Sequence, residues 1–277
     1  AALVPTLLPG DTLQLRGGLY RHSLPLTIAV SGTPDNYITI EAFPGEEPVI
    51  TQDPGGSYAW LPQGMAWSTP IQSSQVDAVW EGDHYLMKYY NLTDLQTLPK
   101  GPGGFFHDKA NGLLYVQTLD GGDPTGKDIH VAHHKNTTEK PYGKAWEVRG
   151  SYLEFRGLTF RWCSNGMIVS GNECVLHGCR GLAVHYLARF NGGQGGQVHH
   201  CSVDGGPGYD GYKRRSYTWP GGRGIFFHQA RSFEIYGCQF TRLIDGVSGF
   251  TYGELTNLAM NPNVDIWGNE FSRIQDD

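Results

Sequence analysis

Charge is what this chain has least of. Only 17% of its 277 residues are Asp, Glu, Lys or Arg, with a formal net charge of −6. A protein that grips a nucleic-acid backbone needs a basic face. The one basic run, Lys213-Arg214-Arg215, reads as a solvated loop, so nucleic acid is excluded as a partner. No apolar stretch reaches the ~18–20 residues of a membrane span. A signal peptide is also lacking at the N-terminus, so the chain reads as mature or as a fragment. Cysteine is sparse too: Cys163, Cys174, Cys179, Cys201 and Cys238. An odd number without a CxxC pair speaks against a zinc knuckle and a complete disulfide framework, and no metal site is expected. No stretch carries a convincing amphipathic helical period. What remains is an all-β chain.

Glycine, by contrast, is abundant, with 39 residues and no Gly-X-Y period, which suits many tight turns. The second half repeats one strand-turn pattern five times. The copies are Leu153-Glu-Phe-Arg-Gly-Leu-Thr-Phe160, Cys174-Val-Leu-His-Gly-Cys179, Val198-His-His-Cys-Ser-Val203, Phe233-Glu-Ile-Tyr-Gly-Cys-Gln-Phe240 and Val264-Asp-Ile-Trp-Gly-Asn-Glu-Phe271. Aligned on Gly157, Gly178, His200, Gly237 and Gly268, they lie 21, 22, 37 and 31 residues apart. A period near twenty on short alternating segments predicts a solenoid, in which equivalent residues stack about 4.8 Å apart.

Three regions follow. Residues 1–50 read as an opening coil, with Leu13-Gln-Leu-Arg16 and Tyr37-Ile-Thr-Ile-Glu41 alternating between turns. Residues 51–147 break the repeat, are rich in aromatics and predict a small inserted antiparallel β module. Residues 148–277 resume the coils, with longer loops at about 186–196 and 204–223. The last copy stops at Asp276-Asp277, where its second strand should begin, so the solenoid is expected to be incomplete there. An uncapped coil edge would permit self-association. The motif Pro9-Gly-Asp-Thr-Leu-Gln-Leu-Arg-Gly-Gly-Leu-Tyr20, with Ser31-Gly-Thr-Pro34, Ile38-Thr-Ile40 and Pro44-Gly45-Glu46, resembles the first coil of right-handed parallel β-helix proteins. That pectinase-like group contains polysaccharide lyases and glycoside hydrolases. The resemblance implies the fold; fold alone does not fix a reaction.

Period-two alternation assigns faces. Leu158, Cys179, Cys201, Cys238 and Asn269 form an inward column, its thiols acting as small apolar side chains. Outward, Arg156, His177, His199, Tyr236 and Trp267 run beside Glu154, Val175, Gln197, Glu234 and Asp265. Such a stripe could bind sugar rings and carboxylates, or be an ordinary solvated sheet face. The second strands place Ser170, His185, His228 and Phe250 in one outward column, with His185 next to His228 as an acid–base pair. The plain alternative is a stacked polar column without a task.

The turns Phe160-Arg-Trp-Cys-Ser-Asn-Gly166, Phe240-Thr-Arg-Leu-Ile-Asp-Gly246 and Phe271-Ser-Arg-Ile-Gln-Asp-Asp277 align Asn165, Asp245 and Asp276. Asn-Gly and Asp-Gly are ordinary turn chemistry; Asp276-Asp277 breaks that rule and is a candidate site. Stacked carboxyl groups about 5 Å apart would meet the requirement of a glycosidase. This arrangement resembles polygalacturonase-type glycosidases, departing in Ile244 before Asp245 and in the missing following coil. The resemblance implies Asp276 or Asp277 as the acid and Asp245 as base or nucleophile.

The leading expectation is therefore a secreted glycoside hydrolase acting on a polysaccharide without a cofactor. The alternatives are a polysaccharide lyase and a non-catalytic glycan-binding or surface protein. A lyase would draw on His185, His228, Tyr209, Lys213 and Arg223 around a uronate, and only a lyase would bring calcium. His177, His199, Tyr236, Trp267, Arg223 and Lys213 are the candidate substrate-binding residues.

Overall fold

Apolar–polar alternation in the sequence becomes alternation of burial in space. In Leu153–Arg156, Leu153 and Phe155 are buried while Glu154 and Arg156 face outward. Cys174 and Leu176, then Phe233 and Ile235, repeat the pattern. The computed structural model describes residues 2–21, 24–71, 75–98, 101–134, 143–207, 222–250 and 264–274.

Strands with this pattern join in a seven-stranded sheet in which every neighbour is parallel. Its order is Thr12–Leu15, Ile38–Ala42, Leu153–Arg156, Val175–His177, Gln197–His199, Phe233–Tyr236 and Val264–Trp267. Chain order and spatial order coincide, so each repeat adds one strand to the same edge. The step from Ile38–Ala42 directly to Leu153–Arg156 shows where the chain leaves the sheet and returns.

The remaining strands of the repeats form an eleven-stranded sheet. Its longest members, Thr159–Val169 and Arg180–Asn191, each serve twice. Their first residues pair with Pro48–Thr51 and Ser202–Asp204, and their last with Trp146–Val148 and Arg223–His228. Between the two halves the chain bends at Trp162 and Ala183, with φ of 53° and 50°. The sheet thus has a near arm and a far arm. Arg180–Asn191 also runs as strand through the first half of the stretch expected to be a loop at 186–196.

Another bend recurs at the aligned positions of the repeat. Gly157, Gly178, His200, Gly237 and Gly268 all have φ between 53° and 64°. Glycine takes this left-handed conformation without a Cβ clash, which explains why the motif shows it in four of five copies.

The two sheets enclose one continuous apolar core. It contains Ile38, Ile40, Phe155, Leu176, Val198 and Ile235 from the first sheet and Phe160, Met167, Phe190 and Phe240 from the second. Cys179, Cys201 and Cys238 line it as a column, all buried. Each Sγ points at a backbone carbonyl, those of Phe155, Leu176 and Val198. Asn269 ends the column by accepting from the Cys238 N–H and donating to the Ile235 carbonyl.

Within 51–147 the pairing changes character. One five-stranded sheet contains Ala66–Pro70, Gly104–Asp108 and Leu113–Gln117, mostly antiparallel, and a three-stranded antiparallel sheet contains Gln75–Glu81 and Ile129–His134. These strands bury their own core around Trp80, Phe105 and Val131, and the bend residues Trp162 and Ala183 belong to it. The left-handed corner of the parallel sheet is therefore where the module docks. Arg161 there makes two bonds to Asp83, at 2.9 and 2.7 Å, and Trp162 donates to the Gly82 carbonyl. The His130 ring stacks on Trp162 with centroids 3.3 Å apart.

One short helix, Leu92–Thr97, interrupts the module, although the sequence carries no helical period there. Asn91 caps it by accepting from the Asp94 N–H, a local device that needs no amphipathic stripe.

Candidate functional site

Register on the far arm assembles the first candidate surface. Asn165 pairs with Tyr186, Arg223 pairs with Asp245, and the Ala188–Ile225 pairing joins the two sets. The column therefore reads Asn165, Tyr186, Arg223, Asp245. Asn165 and Asp245 do share a column, as the turn alignment expects, but two residues stand between them.

Arg223 Nε lies 2.7 Å from Asp245 Oδ2, with side chains 9% and 17% exposed. Phe226, itself buried, gathers the neighbours: the Arg189 guanidinium lies 4.9 Å from its ring centre and that of Arg223 5.6 Å. Tyr186 meets the same ring edge-on at 5.9 Å, and Arg189 donates to Asn191 Oδ1. Two guanidinium groups beside a carboxylate, a phenol and an aromatic ring can hold a carboxylate ligand and orient a proton acceptor. Tyr186, Arg189 and Phe226 escape sequence reasoning, because their column appears only once the long strand is known to continue past the bend. Asp276, Asp277, Lys213 and Tyr209 lie outside the described residues.

The expected His185–His228 pair does not form. His228 pairs with Asn191 on one side and Phe250 on the other. His185 stands six positions earlier on the same strand as Asn191, beneath the module. Its ring centre is 5.1 Å from that of Tyr85 and 5.9 Å from that of Trp80. The expected pairing aligns Gly181-Leu-Ala-Val-His185 with Gly224-Ile-Phe-Phe-His228, glycine on glycine. Register instead places Gly181 beside Phe160 and Val203, before the bend. Burial, with Lys88 adding repulsion against Asp77's attraction, pushes the His185 imidazole down to about 4. It is a neutral core histidine beneath the module.

On the first sheet, register places Arg156, His177, His199, Tyr236 and Trp267 side by side. Their rings lie face to face, at 4.4 Å for His177–His199, 4.9 Å for His199–Tyr236 and 4.5 Å for Tyr236–Trp267. Interplanar angles are 22°, 7° and 1°. Rings stacked this way present edges to solvent, because their faces are covered by one another. Sugar stacking needs a ring face, which His199 and Tyr236 lack because each is stacked on both sides, whereas Trp267 is stacked on Tyr236 and is 58% exposed.

Burial pushes the Cys163 and Cys174 thiols up to about 12 and raises Cys201 as well, which suits inert packing rather than nucleophilic chemistry. Among the described residues, the His/Cys/Asp/Glu group with metal-ligand spacing is His177, His199 and His200.

No protein-family model matches the chain, and no curated protein matches it. Solved structures do. XylC in complex with xylose aligns over 97% of this chain at 13% identity and a TM-score of 0.53, and the chain spans 60% of that protein's length. A glycoside hydrolase aligns over 96% of this chain and 89% of its own, at 10% identity and a TM-score of 0.44. An alginate lyase from Paenibacillus sp. covers 98% and 91%, at 11% identity and a TM-score of 0.28. At these identities the likeness concerns the fold, and the last two are too distant in geometry to bear on it. The chain is an all-β protein whose two larger sheets are parallel, with a fold similar to that of XylC; among its described residues no helix is long and apolar enough to cross a membrane.

Proposed function

We propose that the two parallel sheets are the faces of a right-handed parallel β-helix, and that the chain is a secreted glycoside hydrolase acting on an acidic polysaccharide. The observation that carries this is the Arg223–Asp245 pair, shielded from solvent in one column with Tyr186 and flanked by Arg189 and Phe226. Asp245 is the base or nucleophile, and Asp276 or Asp277 the partner acid. Arg189 and Arg223 hold the sugar's carboxylate. No cofactor is needed for this chemistry.

The test is hydrolysis of an acidic-polysaccharide panel, followed by reducing ends. Asp245→Asn should lose about 10²–10⁴-fold in rate while keeping its β-type circular dichroism, and Asp276→Asn or Asp277→Asn should do the same. Undiminished turnover in Asp245→Asn would remove the assignment.

One observation favours a second reading. Two guanidinium groups around Phe226, with Tyr186 within reach of the same ring, also fit a lyase that neutralises a uronate carboxylate and removes the neighbouring proton. A lyase leaves an unsaturated sugar absorbing in the ultraviolet, and a calcium requirement would accompany that outcome alone. Both reactions free a reducing end, so the unsaturated product decides: its appearance in step with the new reducing ends supports this reading, and reducing ends without it support hydrolysis.

A further inference from the structure

Three imidazoles meet on the outer face of the first sheet. His177 and His199 are direct partners on adjacent parallel strands. His200 follows His199 in sequence, and in a regular strand its side chain would point the opposite way. Here it does not, because His200 sits at the recurring bend with φ of 53°. The left-handed turn swings its ring back to the same side, 5.3 Å from His199 and 5.9 Å from His177. Nδ1 of His199 and Nδ1 of His200 are then 3.0 Å apart. One nitrogen of each ring lies within 4.8 Å of those of the other two.

Space for this arrangement is provided by the next repeat. A Cβ on Gly237 would lie 3.2–3.3 Å from the His200 ring, so glycine there leaves room for the imidazole above it. Position 200 is also where the other four copies carry glycine. An L-residue in this conformation costs roughly 1–2 kcal/mol, and here it delivers a third nitrogen to a pair that stacking alone would not complete.

We infer that His177, His199 and His200 form a binding site for a divalent transition-metal ion, zinc foremost. Three neutral imidazoles without a carboxylate suit zinc, copper or nickel and not calcium or magnesium. With Zn–N bonds of about 2.0–2.1 Å, tetrahedral ligands stand ~3.3 Å apart, close to the separation His199 and His200 already have. Small rotations of the exposed His177 ring close the third edge. The fourth position opens to solvent, beside the Tyr236 ring that stacks on His199. Burial, together with the two neighbouring imidazoles, lowers the pKa of His199, which favours the neutral, ligating form. The ion would tie two consecutive repeats together, with Arg156 as the register neighbour of His177 on the side away from Tyr236.

The inference is independent of the glycosidase reading and is tested without activity. Untagged chain stripped by a chelator is titrated calorimetrically with zinc chloride. One ion per chain is expected. His200→Gly restores the residue found in the other copies and so should fold normally; His177→Gln keeps size and polarity. Loss of supporting groups around a metal already costs 10–100-fold in affinity, so each of these ligand variants should weaken binding at least about 100-fold. Cobalt in place of zinc should give the intense visible bands of a tetrahedral nitrogen site, absent in His200→Gly. No saturable binding by the parent chain, or the same affinity in both variants, overturns the site.

Discussion

The outer face of the first sheet and the polar column of the far arm are made by the same parallel register, yet they hold opposite chemistry. On the first sheet the column is repetitive and wet, with ring against ring from His177 to Trp267 and a guanidinium at Arg156 that is 48% exposed. On the far arm the column is irregular and covered: Asn165, Tyr186, Arg223 and Asp245 are four different residues, and Phe226 beside them is buried. A stacked column in solvent needs only like neighbours. Once water is excluded, each polar group needs its own partner, and the repeat gives way to specific pairs. Irregularity within a repeat is thus the better pointer to chemistry than the repeat itself.

The comparison breaks most visibly at the buried pair. Asp245→Ala leaves the Arg223 guanidinium nearly buried without its carboxylate, and removing one partner of such a pair costs about 3–5 kcal/mol. Urea unfolding followed by Trp fluorescence should show that loss, partly restored in Arg223→Met with Asp245→Ala. A loss under about 1 kcal/mol would mean the far arm is as well solvated as the first sheet.

Acid should act next, through the histidine beneath the module. The folded-state pKa of His185 is about 4, below the ~6.5 of an unfolded chain. Its stabilising contribution is whole above pH 6.5 and is lost as pH falls through that value towards 4, because the unfolded chain takes the proton first. The loss amounts to about 3 kcal/mol. Unfolding midpoints at pH 7 and pH 4.5 should converge in His185→Gln relative to the parent chain. An unchanged pH slope would show that water reaches this ring.

These two residues also show what the sequence made legible. Alternation and the recurring glycine disclosed the strands, their faces, the thiol column and the ring stripe, because each depends on neighbours within one strand. The fate of His185 was hidden by the bend at Ala183, where a left-handed residue other than glycine leaves no mark in the sequence. Asp245 was found from turn alignment and Arg223 as a candidate substrate-binding residue, but their pairing was not, since it depends on which part of a twelve-residue strand lies beside them. His200 was visible only as a missing glycine. Its convergence with His177 and His199 needed the φ angle.

Smaller effects sharpen the contrast from the wet side. Tyr236→Ala removes the ring between His199 and Trp267, and stacked aromatic pairs contribute about 0.5–1.5 kcal/mol each beyond their buried area. A destabilisation of roughly 1–3 kcal/mol is expected from the two contacts together. Trp267 should also become more mobile, measured as a drop in its fluorescence anisotropy against a Trp267→Phe blank. An effect below about 0.5 kcal/mol would mean the column is a consequence of register alone.

The smallest effect belongs to Glu154, and it is the most informative control. Its carboxylate lies 2.6 Å from the Arg156 guanidinium, as short a contact as the pair on the far arm. Distance therefore does not separate the two pairs, nor does the exposure of their carboxylates; the guanidinium does, 48% exposed in Arg156 and 9% in Arg223. Water screens the exposed Arg156, which also keeps the Glu41 carboxylate at 3.9 Å once Glu154 is gone, so Glu154→Ala should cost no more than about 1 kcal/mol. That cost should shrink further in 0.5 M salt, whereas the Asp245 effect should scarcely respond, since shielded charges are screened much less. If both losses were equal and equally salt-sensitive, the far arm would lose its claim to a desolvated site, and with it the physical reason for placing the chemistry there.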